Sequence, residues 1–396
     1  MSDVPPSPDP IGKAADTDTL HTRLPSRRLA ERQSAPCTCG IPVPPAPRPD
    51  PIAIGWACSG APLIFAALRL FGPVCGAKSG AGSMEMERAR LTSFPREQAT
   101  ARVCMVASFA TELLEMRSKE PSLHVLLIPG NPGIAAFYKD FVEALYENLG
   151  GQASVTAIGH ISHSQKDAEH GRLFSLHEQI DHKVDFIEQE LEHSEQPIVL
   201  VGHSIGAYIG LEIFKRLQTK IKIFVGLYPF LTLNKNSVKQ SAIGYIARSS
   251  LLSKGVSSFV SLLGSLNASA TRGIVRRLLG PSWSVTAVDA ACNHLLRYHT
   301  MRNVLFMAMT EFQKLTEEPD WAFIRARQNE IALLFGVDDH WGPLFHLEEV
   351  SKRAPRVALS VETEGHTHGY CCTEAGSFWV ADYVANLIKT QMLRNN

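Results

Sequence analysis

The sequence predicts an α/β protein in which helices cover both faces of a mostly parallel sheet and a helical lid or cap is inserted late in the chain. Two observations support this fold class. From about residue 121 onward, short aliphatic runs that suit β-strands alternate with longer stretches whose apolar residues recur at helical spacing. The strand runs are apolar throughout rather than at alternate positions, which is typical of parallel strands buried on both faces.

Each predicted strand is a short run rich in aliphatic residues, and each predicted helix has an apolar face. The strands are predicted at residues 124–130, 153–160, 197–203, 221–229, 330–341 and 357–366. The helices are predicted at residues 134–150, 176–193, 207–217 and 376–393. Residues from about 230 to 328 do not continue the alternation, and we interpret them as the lid or cap.

The α/β domain is predicted at residues 84–396, after an N-terminal extension at residues 1–83. Residues 1–51 hold 12 of the 24 prolines and bury too little apolar surface to fold, so they are predicted to be disordered. Residues 52–75 are apolar, but two prolines and an arginine within them count against a transmembrane helix. An organelle-targeting segment and an addition upstream of the domain are the alternatives.

Charge and cysteine content exclude several classes of function. Lys plus Arg and Asp plus Glu number 39 each, so no overall field attracts nucleic acid, and no nucleic-acid partner is expected. The eight cysteines form no C-x-x-C pair, which favours a reducing compartment over a disulfide framework or a zinc site. We expect neither a metal nor another cofactor.

The sequence GHSIG, residues 202–206, places Ser204 between a predicted strand and a predicted helix. A serine on a tight strand-to-helix turn presents its hydroxyl at the carboxyl end of the sheet, where ligands bind in parallel α/β folds. The alternative is a serine that only caps the following helix. The strand before it and the helix after it favour the nucleophile.

A serine nucleophile needs a histidine base and an acid that orients the base. In a fold with this nucleophile turn, the chain order is serine, acid, histidine. Asp338 and Asp339 follow a late predicted strand, and His366 and His368 follow the last one. The aspartates could instead serve a turn or a helix cap, and the histidines could belong to a surface loop or form a metal pair, although no third ligand has suitable spacing.

An oxyanion intermediate needs two hydrogen-bond donors. One is expected to be the backbone N–H of Ile205, the residue after the candidate nucleophile. The other is expected from the loop PGNPG, residues 129–133, where Pro132 has no N–H and Asn131 is the candidate donor. The alternative is that this loop is a simple Pro-Gly turn that leads to the next helix.

Four motifs together carry a resemblance to a known family. The sequences are LLIPGNPGIAAFYKDF, QIDHK, VLVGHSIGAY and the late pair GVDDHW and HTHGY. Over roughly residues 121–392, the chain resembles the lipid droplet-associated hydrolases, a family of α/β-hydrolases. The resemblance implies a serine hydrolase on lipid droplets that acts on a lipid or sterol ester. It implies a cytoplasmic location on lipid droplets, with the endoplasmic reticulum as the alternative.

The resemblance also implies roles for three residues. Ser204 matches the nucleophile of the family. Asp339 matches the acid, which lies two residues before a tryptophan, here Trp341. His368 matches the histidine, which precedes a small residue and an aromatic. The family usually has proline where this chain has His340.

The predicted lid is strongly basic. Residues 213–288 contain no Asp or Glu but eleven Lys or Arg. Apolar stretches bordered by cations describe a segment that lies in a lipid interface, where each cation can add about 1 kcal/mol. We therefore predict that residues 235–280 attach to a lipid droplet or membrane surface. The alternative is an ordinary helical cap whose apolar side covers the active site.

The sequence leaves three functions open. The first is a droplet-bound ester hydrolase that works through an acyl-enzyme. The second is a lipid acyltransferase or thioesterase, because it would share that acyl-enzyme. The third is a droplet-binding protein in lipid storage with little catalytic activity.

Overall fold

The structure is a computed structural model that describes residues 97–394 except residues 193, 280 and 281. The predicted disordered segment, the apolar segment at 52–75 and the predicted domain start at residue 84 lie outside the described residues. The architecture below is that of the described part of the chain.

Eight strands form one sheet whose order is β1-β2-β4-β3-β5-β6-β7-β8. In chain order the strands are β1 (Thr100–Val106), β2 (Phe109–Met116), β3 (Leu123–Ile128), β4 (Ala153–Ile158), β5 (Ile198–His203), β6 (Ile221–Leu227), β7 (Ile331–Gly336) and β8 (Ala358–Glu362). Strands β3 to β8 pair in parallel, whereas β2 runs antiparallel to both β1 and β4. The mostly parallel sheet predicted from the sequence is confirmed.

The helices follow the strands as the sequence pattern predicts. They are α1 (Lys139–Asn148), α2 (Leu176–Glu190), α3 (Ile205–Arg216), α4 (Val238–Arg248), α5 (Ser250–Gly264), α6 (Ala268–Leu279), α7 (Val285–Ala290), α8 (Tyr298–Lys314), α9 (Trp321–Ala326), α10 (Leu344–Arg353) and α11 (Glu374–Arg394). Helices α4 to α9 lie between β6 and β7, the segment interpreted from the sequence as a lid or cap. A π-helical turn, Ala291–Leu295, precedes α8.

The core lies on both faces of the sheet because successive side chains of a strand point to opposite faces. Val125 and Leu127 of β3 pack on the face that α1 and α11 cover, and Leu126 and Ile128 pack on the face that α2 and α3 cover. All four side chains are fully buried. Each contributes about 1.5–3 kcal/mol by leaving water. Burial on both faces of the sheet explains why the strand sequences are unbroken aliphatic runs.

The hairpin of β1 and β2 was not predicted from the sequence. Its two-residue turn is Ala107-Ser108, and both residues have positive φ, 47° and 73°. Such turns normally carry Asn-Gly or Asp-Gly, so the usual hairpin signal is missing. β1 is also an edge strand with exposed side chains, which gives it no aliphatic run.

Other differences concern the ends of elements. The predicted helix at 134–150 begins with a 3₁₀ turn, Ala135–Tyr138, before α1. The predicted strand at 330–341 ends at Gly336, and the residues after it form a turn that holds Asp339. None of the helices described in the structure is long and apolar enough to cross a membrane.

Candidate active site

Ser204 lies on a sharp turn between β5 and α3. Its backbone has φ 57° and ψ −123°, and its side chain makes no capping hydrogen bond to the helix that begins at Ile205. The helix-cap alternative is therefore wrong for this serine. The flanking glycines are required by space: a Cβ on Gly206 would lie 2.3 Å from the carbonyl oxygen of Ile128, and a Cβ on Gly202 would lie 2.3 Å from the carbonyl oxygen of Gly206. The strained turn presents the Ser204 hydroxyl beyond the carboxyl end of the sheet.

The structure brings Ser204, His368 and Asp339 together. The Nε2 atom of His368 lies 2.8 Å from Oγ of Ser204, and its Nδ1 atom lies 2.8 Å from Oδ2 of Asp339. Because the carboxylate can only accept, Nδ1 carries the proton and donates to it. Nε2 is then the acceptor for the serine O–H. This is the tautomer that a general base at Ser204 requires.

Asp339 is held in the ionised form. Burial raises the pKa of its carboxyl, but the charge of His368 and hydrogen bonds from His368 and the backbone of Trp341 and Gly342 outweigh burial and hold the pKa below its usual value. Its Oδ1 atom accepts from the backbone N–H of Trp341 at 2.8 Å. The turn role weighed from the sequence therefore coexists with the contact to His368.

The alternative acid and histidine lie elsewhere. Asp338 is exposed, although it adjoins Asp339 in the chain. His366 packs against Trp379 of α11, with the two ring centroids 5.7 Å apart. Among the described contacts, neither residue meets Ser204.

Of the two candidate oxyanion donors, Ile205 directly follows Ser204 in the chain and Asn131 lines the cavity beside it. Ile205 is the first residue of α3, so its N–H has no acceptor within the helix. Gly130 approaches so closely that a Cβ there would lie 3.0 Å from Cβ of Ser204. The next residue, Asn131, lines the cavity with Ser204. Its side-chain Nδ2 donates to the carbonyl of Val304 at 3.0 Å and therefore ties the loop to α8.

A chain of three hydrogen bonds links the loop at 129–133 to the loop that carries His368. The N–H of Gly130 donates to the Tyr138 hydroxyl at 3.0 Å, and that hydroxyl lies 2.6 Å from Nδ1 of His203. The Nε2 atom of His203 lies 2.8 Å from the carbonyl oxygen of His368. Since that carbonyl can only accept, Nε2 carries the proton and Tyr138 donates to Nδ1. Burial lowers the pKa of His203 to about 3, so the ring stays neutral.

The QIDHK motif forms a buried polar network behind the site. Lys183 is fully buried and donates from Nζ to the carbonyl of Gly159 at 2.9 Å, and it lies 3.0 Å from Nδ1 of His182. Gln179 bonds both the N–H and the carbonyl of Ile161. Burial lowers the pKa of Lys183 well below its usual value. The network fixes the loop after β4.

That loop in turn supports the loop at 129–133. The N–H of Gly133 donates to Nδ1 of His163 at 2.8 Å, and the N–H of His160 donates to the carbonyl of Gly133 at 2.8 Å. A Cβ on Gly133 would lie 2.0 Å from the ring of His160. Sequence analysis assigned the QIDHK motif no role beyond its part in the resemblance, because the partners of its side chains lie in distant loops of the chain.

The cavity at Ser204 has two branches. The first, here the apolar branch, is lined by Phe137, Leu279, Trp283, Leu295 and Met301. The second, here the Glu311 branch, is lined by Phe230, Ile243, Ala308, Glu311, Phe312 and Trp341. Ser204, His368, Asn131 and Trp341 border both branches. Most of these walls come from the segment between β6 and β7, so the insertion helps to form the site.

A second depression lies at the other end of the sheet. It is lined by Pro197, Ile198, Lys220 and Ile221, which are at the amino ends of β5 and β6. Ligands of parallel α/β sheets bind at the carboxyl ends of the strands, where Ser204 is located. Within the described residues, no group of three or more His, Cys, Asp or Glu side chains is arranged to hold a metal ion.

The comparison with protein families agrees with this geometry. Residues 121–371 match the family model described as "Lipid-droplet associated hydrolase". The chain belongs to the lipid droplet-associated hydrolase family. The match covers most of the chain and contains Ser204, Asp339 and His368.

Curated relatives carry the family name. The lipid droplet-associated hydrolase of Dictyostelium discoideum is 26% identical over 297 residues, which are 72% of this chain and 94% of the relative. The protein of the same name in Gallus gallus is 26% identical over 265 residues, 63% of this chain and 80% of the relative. The Homo sapiens protein is 26% identical over 278 residues, 66% of this chain and 83% of the relative.

Solved structures share the fold of this family member. A thermophilic esterase from Thermogutta terrifontis aligns with a TM-score of 0.51 at 14% identity and covers 74% of this chain and 99% of the esterase. A haloalkane dehalogenase from Agrobacterium tumefaciens aligns with a TM-score of 0.55 at 14% identity. The alignment covers 73% of this chain and 98% of the dehalogenase. At this identity the likeness shows the fold alone. The α/β-hydrolase fold expected from the resemblance is confirmed.

Proposed function

We propose that this protein is a serine ester hydrolase of lipid droplets that cleaves a lipid ester through an acyl-enzyme. The observation that supports the proposal most directly is the hydrogen-bonded chain Ser204, His368 and Asp339 at the head of an apolar cavity. The relatives are named lipid droplet-associated hydrolases, which supports both the reaction class and the location at the droplet surface.

The proposed reaction follows from the positions of the three side chains. His368 takes the proton of Ser204 at Nε2 as the serine oxygen attacks the ester carbonyl. The backbone N–H groups of Ile205 and Asn131 stabilise the oxyanion. His368 then gives its proton to the departing alcohol, which leaves an acyl-serine. Water attacks that acyl group with His368 as the base, and Asp339 keeps the imidazole in the required tautomer throughout.

The apolar branch suits the acyl chain of the substrate. Phe137, Trp283 and Met301 offer no charged group to a bound ligand. Each methylene that enters such a cavity gains about 0.8 kcal/mol. We therefore expect kcat/KM to rise with acyl-chain length over a series of esters of one alcohol.

Product analysis separates hydrolysis from acyl transfer. With a long-chain ester in water, the expected product is the free fatty acid, because water resolves the acyl-serine. Addition of a competing alcohol should leave the fatty acid as the main product. If a new ester of the added alcohol predominates at low alcohol concentration, the protein is an acyltransferase instead. Mass spectrometry of the lipid extract measures both products.

Helices α4 and α5 present an apolar surface that we propose docks on the phospholipid monolayer of a droplet. On α5, Leu251 is 83% exposed and Leu262 is 64% exposed. The exposed residues Lys254 and Ser258 lie between them at helical spacing, so all four share one face. On α4, the exposed residues Val238, Tyr245 and Arg248 likewise share a face.

Cations near this surface are available for lipid phosphates. Arg276 and Arg277 are exposed on α6, and neither they nor Lys254 form a salt bridge with any described residue. An exposed apolar face bordered by cations binds at the interface of an anionic lipid layer. The proposed docking surface and much of the cavity wall both belong to the insertion, so docking is proposed to bring the lipid near the cavity.

The double variant Leu251→Ser and Leu262→Ser is expected to lose droplet binding by at least about tenfold, because each buried leucine is worth about 1.5–3 kcal/mol. Co-flotation with artificial droplets of stated phospholipid composition measures the bound fraction. Hydrolysis of a water-soluble ester should not change.

Val103→Ser with Met105→Ser is the matched control. These side chains are also exposed, 64% and 61%, but they lie on edge strand β1. The control should float like the parent chain. Equal loss in both double variants would mean that general hydrophobicity rather than the α4 and α5 surface governs binding.

A further inference from the structure

A carboxyl group lies in the wall of the cavity beside Ser204, and the proposed reaction does not use it. Glu311 is on α8, one turn after Ala308, and is only 3% exposed. It lines the Glu311 branch together with Ser204 and His368. Apart from Ser204, His368 and Asn131, the other side chains that line this branch are apolar. A fatty acyl chain or a hydrocarbon alcohol needs no such group, and burying a carboxyl among apolar side chains is costly.

The carboxyl group has no cationic partner among the described residues. Its contact is with Asn131, whose Nδ2 donates to Oε1 at 2.9 Å. Burial raises the pKa of Glu311 to about 8, although the hydrogen bond from Asn131 partly opposes the shift. At neutral pH the carboxyl is therefore mostly protonated, and it can donate a hydrogen bond as well as accept one.

Asn131 supplies an acceptor next to it. The carbonyl of Val304 can only accept, so the Nδ2 atom of Asn131 must face it. The Oδ1 atom of Asn131 then points elsewhere, and it is buried without a hydrogen-bond partner among the described residues. A buried acceptor that lacks a partner is unfavourable unless a ligand satisfies it.

We propose that the Glu311 branch binds the alcohol part of the ester and that Glu311 and Asn131 recognise a free hydroxyl on it. A hydroxyl can accept from Glu311 and donate to Oδ1 of Asn131, which satisfies both groups at once. The favoured substrate class is then a partial glyceride, an acyl ester of a polyol that keeps at least one free hydroxyl. This inference rests on the proposed function, since it assigns the two branches of the same site to acyl chain and alcohol.

A pair of substrates that differ only in the alcohol tests the assignment. The purified full-length chain is given the glyceryl monoester and the propyl ester of one fatty acid, both in detergent micelles. The parent chain should favour the glyceryl ester by about 10- to 100-fold in kcat/KM, as expected for recognition of a buried hydroxyl. An equal rate for both esters, or faster cleavage of a cholesteryl ester of the same acid, would overturn the proposal. This test needs only the parent chain.

Substitution of Glu311 tests whether this residue recognises the hydroxyl of the substrate or only positions Asn131. Glu311→Leu should lower kcat/KM for the glyceryl ester by about tenfold more than for the propyl ester, chiefly through a higher KM, and so remove the preference. Glu311→Gln can still donate and accept, so it should restore most of the preference. If Glu311→Leu slows both esters equally, Glu311 only positions Asn131 and the proposal is wrong.

Failure of this inference is distinguishable from failure of the proposed function. Fluorophosphonate labelling of each variant reports the reactive serine independently of the alcohol, and thermal unfolding reports whether the chain folds. Labelling with no preference for the glyceryl ester overturns the inference alone. Absence of labelling in the folded parent chain overturns the proposed function together with it.

Discussion

Replacement of Ser204 by alanine is expected to lower kcat for ester hydrolysis by about a million-fold, which leaves no measurable turnover. The hydroxyl is the group that attacks the ester carbonyl, and no neighbouring side chain can take its place at the turn between β5 and α3. Because the side chain makes no capping hydrogen bond, its removal should not weaken the helix. The measurement is the hydrolysis rate of a soluble chromogenic acyl ester.

Ser258→Ala is the control for this variant. Ser258 is an exposed serine on α5, so its loss removes a hydroxyl without touching the site. The control should keep the parent rate. Residual turnover of Ser204→Ala above one part in a hundred would show that another residue performs the attack.

Asp339→Asn is expected to lower kcat by about 10⁴-fold, as the equivalent change does in serine proteases. The asparagine amide can donate to Nδ1 of His368, which stabilises the tautomer with the proton on Nε2. That nitrogen then donates to Ser204 instead of accepting its proton. The effect should appear in kcat at neutral pH, with little change in KM.

The chain provides a matched control at the preceding residue. Asp338→Asn removes the same charge one position earlier, from an exposed side chain that has no described contact with His368. It should retain at least half of the parent kcat. Equal losses in the two variants would mean that the turn, rather than the hydrogen bond to His368, is what the chemistry depends on.

The segments of the candidate site could be predicted from the sequence because they are local. GHSIG needs only a strand before it and a helix after it, and the chain order of acid and histidine restricts the search to two short loops. Residue choice within those loops was harder. Spacing alone left Asp338 and His366 open, and the resemblance favoured Asp339 and His368. The structure gives a physical reason, since Asp338 is exposed and His366 packs on Trp379.

Residues whose partners are distant in sequence could not be found in this way. Glu311 lies within a helical stretch of the insertion, and only the fold brings it to Asn131, 180 positions earlier in the chain. Tyr138 and His203 both belong to motifs recognised in the sequence, but their hydrogen bond joins a 3₁₀ turn to the end of β5, 65 positions later in the chain. The hairpin of β1 and β2 was not predicted, because its turn has a left-handed backbone conformation but contains neither glycine nor asparagine.

The insertion between β6 and β7 contributes to both the candidate active site and the proposed docking surface. Its helix α8 holds Asn131 through Val304 and Glu311, and its helices α4 and α5 carry the exposed apolar surface. The insertion that carries the surface proposed to meet the lipid layer therefore also contacts, through α8, the loop proposed to stabilise the oxyanion. The basic, acid-free run at residues 213–288 could be recognised from the sequence alone, whereas the connection to Asn131 required the fold.

Mapping of a fluorophosphonate adduct in the purified chain identifies the residue that attacks the ester. We expect one adduct, on the peptide that contains Ser204. Labelling should be lost in His368→Ala, which removes the base, and kept in His366→Ala, which removes a neighbouring imidazole that packs on α11. An adduct on a different residue, or equal labelling of His368→Ala and the parent chain, would contradict the assignment of Ser204 as nucleophile and His368 as its base.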